Sequence, residues 1–361
     1  MRGAPEPSAR SRSAALVVAP FVVSRLISAV LIVLATLTRT GGLSVGGFAR
    51  WDGRWYVWIA GHGYGGAPPH AHHHQTPWPF FPVLPAAMHA IHWVSGVSLL
   101  VAGVLVNHAV FFVALVGIHR IARRHLSGRA AVLAVWIAAL APFAFVFSML
   151  YPSALFLAAS VWAFVWVEER HDTLGGVAAG IAALTRPDGV IVAVVLACTV
   201  RRDRARIAGP AVVAVSAWMV FNYERTGDAL RFLHAKQAWH EIDLFSLSRL
   251  TPIDVLARTN PSADNALFHL AVALFAFALV VCTRRVLPKA WTWLTGLYLL
   301  PSLLLGIVGM GRYATEAFPP VVAAGSVLES HPNRVVLMVC AALVVVQGLC
   351  AYHYLGQHAL L

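Results

Sequence analysis

Charged residues are scarce in this chain: they make up 12% of its 361 residues, whereas 59% are hydrophobic. Soluble domains carry about 25% charged residues, so this composition excludes a soluble globular protein. Apolar runs of nearly the length that crosses a bilayer recur from one end of the sequence to the other. The sequence therefore predicts an all-α polytopic membrane protein that forms one integral membrane domain over residues 1–361.

Acidic residues and cysteines are also few. The net charge is +12, but the arginines cluster in short loops between apolar runs, which indicates retention in the cytoplasm rather than binding of nucleic acid. The four cysteines lie in apolar runs and show no disulfide pattern. The first apolar run, residues 14–37, is too long for a cleavable signal peptide. A glycine-rich phosphate loop is missing, which argues against nucleotide hydrolysis and against a cytoplasmic nucleotide-sugar site.

The apolar segments and the basic clusters between them predict a topology. Placing every basic cluster in the cytoplasm puts the N-terminus inside. The interrupted run at 173–200 must then turn back on itself at "TRPDG" (185–189), and the total is about 11 full or half spans. The remaining predicted spans are 14–37, 98–119, 130–148, 151–168, 207–222, 266–283, 290–309, 313–328 and 335–356.

Three long or polar segments are predicted to lie on the outer face together with the "TRPDG" break. They are the loop 38–97, the loop 223–265 and the region 309–320, which contains "GRYATEAFPP". Nearly every polar residue outside the cytoplasmic clusters falls in these places. We therefore expect an extracytoplasmic functional site.

The first outer loop contains "RWDGRWYVWIAGHGYG". Its aromatic residues Trp51, Trp55, Tyr56 and Trp58 are spaced by three and four residues, which predicts a helix that lies in the membrane interface, followed by a second interfacial segment at 77–94. Anchoring does not explain Asp52. An acid held at the membrane surface is a candidate general base, and its position before a helix is also typical of an N-cap.

Charged residues within apolar runs are the next candidates. Arg186 and Asp188 flank Pro187 in the break, where they either serve a function or pair with each other to stabilise the break. Arg312 has the planar fork that suits phosphate, although it could also extend to the interface. Glu316, one helical turn later, could pair with Arg312.

Two further polar segments have less specific patterns. "RTGDALRFLHAKQAWH" (225–240) places Lys236, His234, Gln237 and Trp239 on a polar and aromatic surface, which either lines a sugar site or is one side of a solvated amphipathic helix. "HAHHHQ" (70–75) matches no closed zinc pattern and has no accompanying cysteine or acid, so adventitious metal binding is favoured over a metal centre.

The order of these motifs resembles that of the PIG-V-type mannosyltransferases, which belong to the GT-C superfamily of membrane glycosyltransferases. The matching motifs are "RWDGRWYVWIAGHGYG", "PFFPVLP", "TRPDG", "GDALRFLHAKQAWH" and "GRYATEAFPP", and the resemblance covers roughly residues 14–330. "YPSALF" (151–156) departs from a Tyr-x-Glu-Ser-like sequence that is common in relatives.

The resemblance implies a GT-C-like helical bundle that performs inverting sugar transfer, usually of mannose, from a polyprenyl-phosphate donor. It implies that Asp52 is the general base and that the active site is extracytoplasmic. The scheme requires no metal and no cofactor, and the acceptor is a glycolipid, a glycan or a protein hydroxyl. The candidate residues for donor phosphate and substrate are Arg312, Arg186, Lys236, Asp188, Arg54 and Tyr313, and those for sugar- or lipid-facing aromatics are Trp51, Trp55, Tyr56 and Trp239.

Two other classes stay open from the sequence. A flippase or transporter of lipid-linked sugars would also contain broken helices with polar residues, although no internal repeat is visible and the polar residues gather on one face. A structural membrane subunit would use the aromatic loop to bind a partner. Abundant alanine, valine and arginine with little lysine indicate a GC-rich bacterial genome, and hence a plasma-membrane location.

Overall fold

The computed structural model describes residues 9–40, 45–69, 71, 75–200, 202–236, 263–305 and 309–355. Within these ranges the chain is helical and contains no β-strand. The helices are α1 (Ala9–Thr40), α2 (Asp52–His62), α3 (Val83–Ser95), α4 (Leu99–His125), α5 (Gly128–Leu140), α6 (Ser153–Glu168), α7 (Asp172–Ala183), α8 (Val190–Thr199), α9 (Arg204–Thr226), α10 (Arg231–His234), α11 (Ala263–Cys282), α12 (Lys289–Leu305), α13 (Met310–Glu316), α14 (Phe318–Leu328) and α15 (Asn333–Leu355).

Four of the described helices are long and apolar enough to cross a bilayer by themselves: α1, α4, α9 and α15. Several shorter apolar helices, including α5, α6 and α14, pack between them. Helix α6 is buried along nearly its whole length, whereas the long helices expose apolar side chains such as Leu26 and Val213. Such a pattern suits a bundle whose outer faces contact lipid. The number of about 11 spans stays a prediction.

The span predicted at 130–148 is not one helix. Helix α5 ends at Leu140, Ala141 is extended with ψ at 153°, and a short 3₁₀ turn follows at Ala144–Ser148. Pro142 is the cause, because a proline disfavours helical geometry in the preceding residue. The irregular segment from 141 to 152 is thereby available to carry site residues into the protein interior.

The polar break in the run 173–200 lies between α7 and α8. A short 3₁₀ turn at Pro187–Gly189 connects the two helices. A Cβ atom at Gly189 would lie 1.9 Å from the carbonyl oxygen of Ala182, so only glycine permits this turn to approach the end of α7. The break therefore depends on backbone contact as well as on proline.

The span predicted at 313–328 is also divided. Helix α13 ends at Glu316, Ala317 is extended with ψ at 124°, and α14 begins at Phe318. Pro319 and Pro320 follow immediately, and because neither can donate a backbone hydrogen bond, a helix that started upstream would be interrupted here. The short α13 carries Arg312, Tyr313 and Glu316.

Helix α2 packs inward rather than lying wholly in the membrane interface. Trp55 and Tyr56 are each only 5% exposed. Trp55 stacks on Phe80 with ring centroids 5.4 Å apart, and Tyr56 meets the same ring edge-to-face at 5.3 Å. The prediction that these two aromatics face sugar or lipid is therefore wrong, because the first loop folds back and supplies Phe80 as their partner.

The predicted cytoplasmic segments form ion pairs with one another. Arg120 binds Glu169 through two hydrogen bonds of 2.6 and 2.7 Å. Arg202 binds Asp172 through bonds of 3.0 and 2.9 Å. These pairs join the C-terminal part of α4 and the basic cluster after α8 to the acidic residues between the end of α6 and the start of α7.

Candidate active site

Glu316 is the centre of a buried polar cluster. Its carboxylate is fully buried and accepts hydrogen bonds from both terminal nitrogens of Arg186, from the Ser153 hydroxyl and, at 2.7 Å, from the Tyr298 hydroxyl. The ion pair of Arg186 is thus with Glu316, and the alternative pairing with Asp188 is wrong. Because the break turns Arg186 toward α13, a residue distant in sequence becomes its neighbour.

Arg312 lies beside Glu316, one helical turn earlier on α13. Its Nε is 3.7 Å from Glu316 Oε1, and its guanidinium lies over the ring of Tyr151, 5.2 Å from the centroid. The side chain is only 11% exposed, so the expectation that it extends to the interface is wrong. Within the described part of the chain, its Nε and Nη1 atoms are buried without a hydrogen-bond partner.

Tyr313 lies between the two guanidinium groups. The Cζ atom of Arg186 is 5.1 Å from its ring centroid, and that of Arg312 is 5.5 Å away. The Arg186 guanidinium also lies over Phe156 at 5.4 Å. Aromatic faces attract cations. These rings therefore help to stabilise two neighbouring arginines, for which Glu316 provides only one negative charge.

Asp52 is the first residue of α2 and not its N-cap. Trp51 occupies the cap position with φ at +53°, a conformation that is uncommon for a bulky residue. The Trp51 indole donates to the carbonyl of Tyr354 at 3.4 Å. The N-cap interpretation of Asp52 is therefore wrong, since Trp51 and not Asp52 is the residue that precedes the helix. The strained backbone at Trp51 determines the position of the Asp52 side chain.

Tyr151 connects this turn to the arginine cluster. Its hydroxyl donates to the carbonyl of Arg50 at 3.4 Å and accepts a hydrogen bond from the Tyr354 hydroxyl at 2.5 Å. The face of the same ring supports the Arg312 guanidinium. Tyr151 thus contacts both the segment that precedes Asp52 and the guanidinium of Arg312.

The electrostatics at Tyr56 show that the candidate charges converge. Burial raises the pKa of the Tyr56 phenol, Asp52 raises it further, and Arg186 and Arg312 lower it. Three charges from three distant parts of the sequence therefore act on one side chain of α2. The structure brings the first outer loop, the break and α13 to one place.

The second outer loop joins the same site through Lys236. Burial lowers the pKa of the Lys236 ammonium, while the neighbouring Asp188 raises it and Arg186 lowers it. Asp188 has its Oδ2 atom buried without a hydrogen-bond partner among the described residues. Helix α10, which ends just before this lysine, is held by a 2.7 Å bond between His234 and Asp228, and that bond lowers the pKa of Asp228.

The remaining predicted residues are placed differently. Arg54 is exposed on α2, and none of the contacts of the described chain brings it to the cluster. Trp239 and Gln237 lie outside the described residues, as do His70 and the histidines at 72–74. In the parts of the chain that the structure describes, no group of three histidine, cysteine or acidic residues is placed to hold a metal ion.

Several site residues were not recognised in the sequence. Tyr151, Ser153 and Tyr298 all lie in or beside apolar runs and resemble ordinary core positions. The usable signal was "YPS" at 151–153, where two hydroxyl groups follow a proline-broken helix. Tyr298 has no local signal, because its role depends on Arg186 and Glu316.

No protein-family model and no curated protein matches the chain. Among solved structures, it is similar to the archaeal oligosaccharyltransferase AglB of Archaeoglobus fulgidus in complex with an inhibitory peptide and a dolichol-phosphate. The TM-score is 0.54 at 15% sequence identity, over 94% of this chain and 56% of that chain. The apo form of the A. fulgidus oligosaccharyltransferase gives a TM-score of 0.52 over the same shares of the two chains. The chain thus spans little more than half the length of these enzymes.

The fold and the apolar helices define the class of the molecule. It is a helical membrane protein whose fold is similar to that of the A. fulgidus oligosaccharyltransferase. Within this fold, the described polar segments combine an acid at the start of a loop helix with a buried pair of arginines.

Proposed function

We propose that the protein is a membrane glycosyltransferase of the PIG-V type. It moves a sugar, mannose by its resemblance to that family, from a polyprenyl-phosphate donor to an acceptor hydroxyl on the extracytoplasmic side. The observation that carries this proposal is the pair of buried arginines, Arg186 and Arg312, which retain unpartnered N–H groups within the described chain.

The arginine pair has the properties of a phosphate site. Two guanidinium groups share the single carboxylate of Glu316, so these three side chains together carry one net positive charge. Arg186 Nε and Arg312 Nε and Nη1 are buried donors without an acceptor in the described chain. Buried charged donors without partners are costly, and an anion with several oxygen atoms satisfies them. Arginine binds phosphate oxygens through parallel hydrogen bonds.

Asp52 supplies the base in this scheme. Its carboxylate takes the proton of the acceptor hydroxyl, and the acceptor oxygen attacks the anomeric carbon from the side opposite the phosphate. A new glycosidic C–O bond forms as the bond between the anomeric carbon and the phosphate oxygen breaks, which inverts the configuration. The electron pair leaves with the polyprenyl phosphate, so no general acid is needed. A base of this kind contributes about 10²- to 10⁴-fold in rate.

The cations stabilise the charge that gathers on the leaving phosphate. Arg312 and Arg186 have this role, and the Lys236 ammonium adds a third positive charge nearby. Charges that are already oriented in a water-poor site stabilise a developing anion more than water does. The ring of Tyr313 contacts both guanidinium groups, and the negative charge of Asp188 favours the protonated form of Lys236.

The comparison with AglB supports the substrate class. That oligosaccharyltransferase was solved in complex with a dolichol-phosphate, which is a lipid phosphate of the proposed kind. By analogy, this chain binds a polyprenyl phosphate from the surrounding membrane lipid. The acceptor is a glycolipid, a glycan or a protein hydroxyl.

The test is sugar transfer by purified protein from radiolabelled polyprenyl-phosphate mannose, with a membrane lipid extract as acceptor. Asp52→Asn should abolish transfer while expression and thermal unfolding stay unchanged. Asp203→Asn is the matched control, because Asp203 is an exposed residue before α9 that pairs with Arg206. Wild-type rates in the Asp52→Asn protein would refute the assignment of the base.

The alternative function is a flippase for lipid-linked sugars. Reconstituted vesicles separate the two functions, because a flippase moves the labelled lipid across the bilayer without releasing a polyprenyl phosphate. Transfer without translocation supports the enzyme. Translocation without transfer, in wild-type protein, refutes it.

A further inference from the structure

His269 on α11 is a buried histidine that no sequence motif marks. Its side chain has 0% exposure and lies where α11 packs against α13. The Nδ1 atom accepts a hydrogen bond of 3.2 Å from the backbone N–H of Gly311. Gly311 immediately precedes Arg312, so this bond is one residue away from the cation of the proposed phosphate site.

The direction of this hydrogen bond defines the state of the ring. A backbone N–H can only donate, so Nδ1 carries a lone pair and the neutral ring has its proton on Nε2. The Nε2 atom is buried without a partner in the described part of the chain. Because an unpaired buried donor costs free energy, an apolar side chain would fill the space more favourably. What histidine contributes here is the acceptor atom Nδ1.

Helix α13 needs such an acceptor because its first turn has little other support. The first N–H groups of any helix lack partners within the helix, and Gly309 at the N-cap provides no side-chain bond. A Cβ atom at Gly311 would lie 2.3 Å from the Phe143 ring and 3.0 Å from His269 Nδ1. The Phe143 and His269 rings are themselves 4.9 Å apart. The first turn of α13 thus packs closely against the rings of Phe143 and His269, and it donates a hydrogen bond to His269.

We infer that His269 is a positioning residue, which orients the Arg312 guanidinium toward the donor phosphate by fixing the first turn of α13. This inference rests on the proposed function, since it assigns Arg312 to the phosphate. His269 itself does not touch the substrate. It acts through the Gly311 amide, and the short helix transmits the position to the next side chain.

Three substitutions separate the bond from the packing. In His269→Asn the amide oxygen occupies the place of Nδ1, so the bond to Gly311 is kept. In His269→Gln the amide reaches the place of Nε2 and the acceptor beside Gly311 is lost. His269→Leu removes both polar atoms and keeps the volume. Since a misplacement of about 1 Å can cost on the order of 10²-fold, we expect the Gln and Leu variants to bind phosphate at least about 10-fold more weakly.

The experiment measures binding of undecaprenyl phosphate to the full-length protein in detergent micelles by tryptophan fluorescence, beside the transfer assay. The Asn variant should bind like wild type, and the Gln and Leu variants should bind more weakly and show a raised KM for the donor with an unchanged KM for the acceptor. Arg312→Gln alone and combined with His269→Gln completes a double-mutant cycle. In the Arg312→Gln background, His269→Gln should have no further effect on binding.

The outcomes distinguish the two proposals. If Arg312→Gln weakens binding and all three His269 variants bind like wild type, the role of His269 is refuted and the phosphate site stands. The same conclusion follows if the Asn and Gln variants weaken binding equally. If Arg312→Gln itself leaves binding unchanged, the phosphate site is refuted and the role of His269 with it. Should the Leu variant fail to fold, the Asn and Gln pair carries the test, because these two differ mainly in where the amide lies.

Discussion

Glu316 accepts hydrogen bonds from Arg186 across 130 residues of sequence, and both side chains are buried. A carboxylate that serves two arginines limits the positive charge of the cluster and fixes the direction of one guanidinium. The buried pair therefore joins the break between α7 and α8 to α13. It also leaves N–H groups of Arg312 available to bind a ligand.

Glu316→Gln should destabilise the protein by about 3–5 kcal/mol, because breaking a buried ion pair leaves an uncompensated charge. The measurement is thermal unfolding in detergent with and without undecaprenyl phosphate. Added lipid phosphate should restore part of the lost stability, since it supplies the missing negative charge. Glu329→Gln is the control: Glu329 lies at a helix end and bonds Ser127, and its loss should change stability by less than about 1 kcal/mol. A Glu316→Gln protein as stable as the control would contradict this account of the pair.

Tyr151 should separate into two roles by substitution. Tyr151→Phe keeps the ring below Arg312 and loses the bonds of the hydroxyl to Arg50 and Tyr354. We expect a loss of about 0.5–1.5 kcal/mol per hydrogen bond and a lower kcat, because the turn before Asp52 loosens. Tyr151→Leu also loses the cation–π contact and should in addition weaken binding of undecaprenyl phosphate. If the Phe and Leu variants have the same affinity for the lipid phosphate, the ring does not position Arg312.

The sequence predicted which charged residues form the site better than it predicted which side chains they contact. Asp52, Arg186 and Arg312 stood out because charged residues are rare beside apolar runs, and the structure groups them. The predicted pair of Arg312 with Glu316 is present, with Nε and Oε1 3.7 Å apart. The partner of Arg186 was missed because local rules favour Asp188, whereas the observed bond joins Arg186 to Glu316, 130 residues away. Tyr298 and His269 look like core residues until the helices that contact them are placed.

The fold shows the same division between local and distant causes. Proline at 142, 187 and 319 marks the three helix breaks, and the break at 187 was predicted from that signal. The ends of α5 and α13 were missed because hydropathy continues across Pro142 and Pro319. The inward packing of Trp55 and Tyr56 was also not predictable from spacing, since it requires Phe80 to return from the following segment.

Gly189→Ala should be destabilising by about 1–3 kcal/mol, because the new methyl group would overlap the backbone of Ala182, which cannot move away as a side chain does. Gly65→Ala, in the exposed segment after α2, is the matched control. Apart from its chain neighbours, no described atom lies within 4 Å of a Cβ at Gly65, so this substitution should change stability by less than about 0.5 kcal/mol. Thermal unfolding of both variants measures the contrast, and equal shifts would contradict the close packing of the break.

Lys236 should set the alkaline limit of activity. Burial lowers the pKa of its ammonium below the ordinary value of 10.5, so the group loses its proton, and the site its third cation, at a lower pH than an exposed lysine would. Transfer should therefore fall as the pH rises toward that lowered pKa. Lys236→Arg keeps the charge at all pH values in this range, because the pKa of an arginine guanidinium lies well above that of a lysine ammonium. The pH–rate profile of this variant should lose the alkaline fall. An alkaline limb that persists unchanged in Lys236→Arg would mean that another group titrates there and that Lys236 does not act on the phosphate.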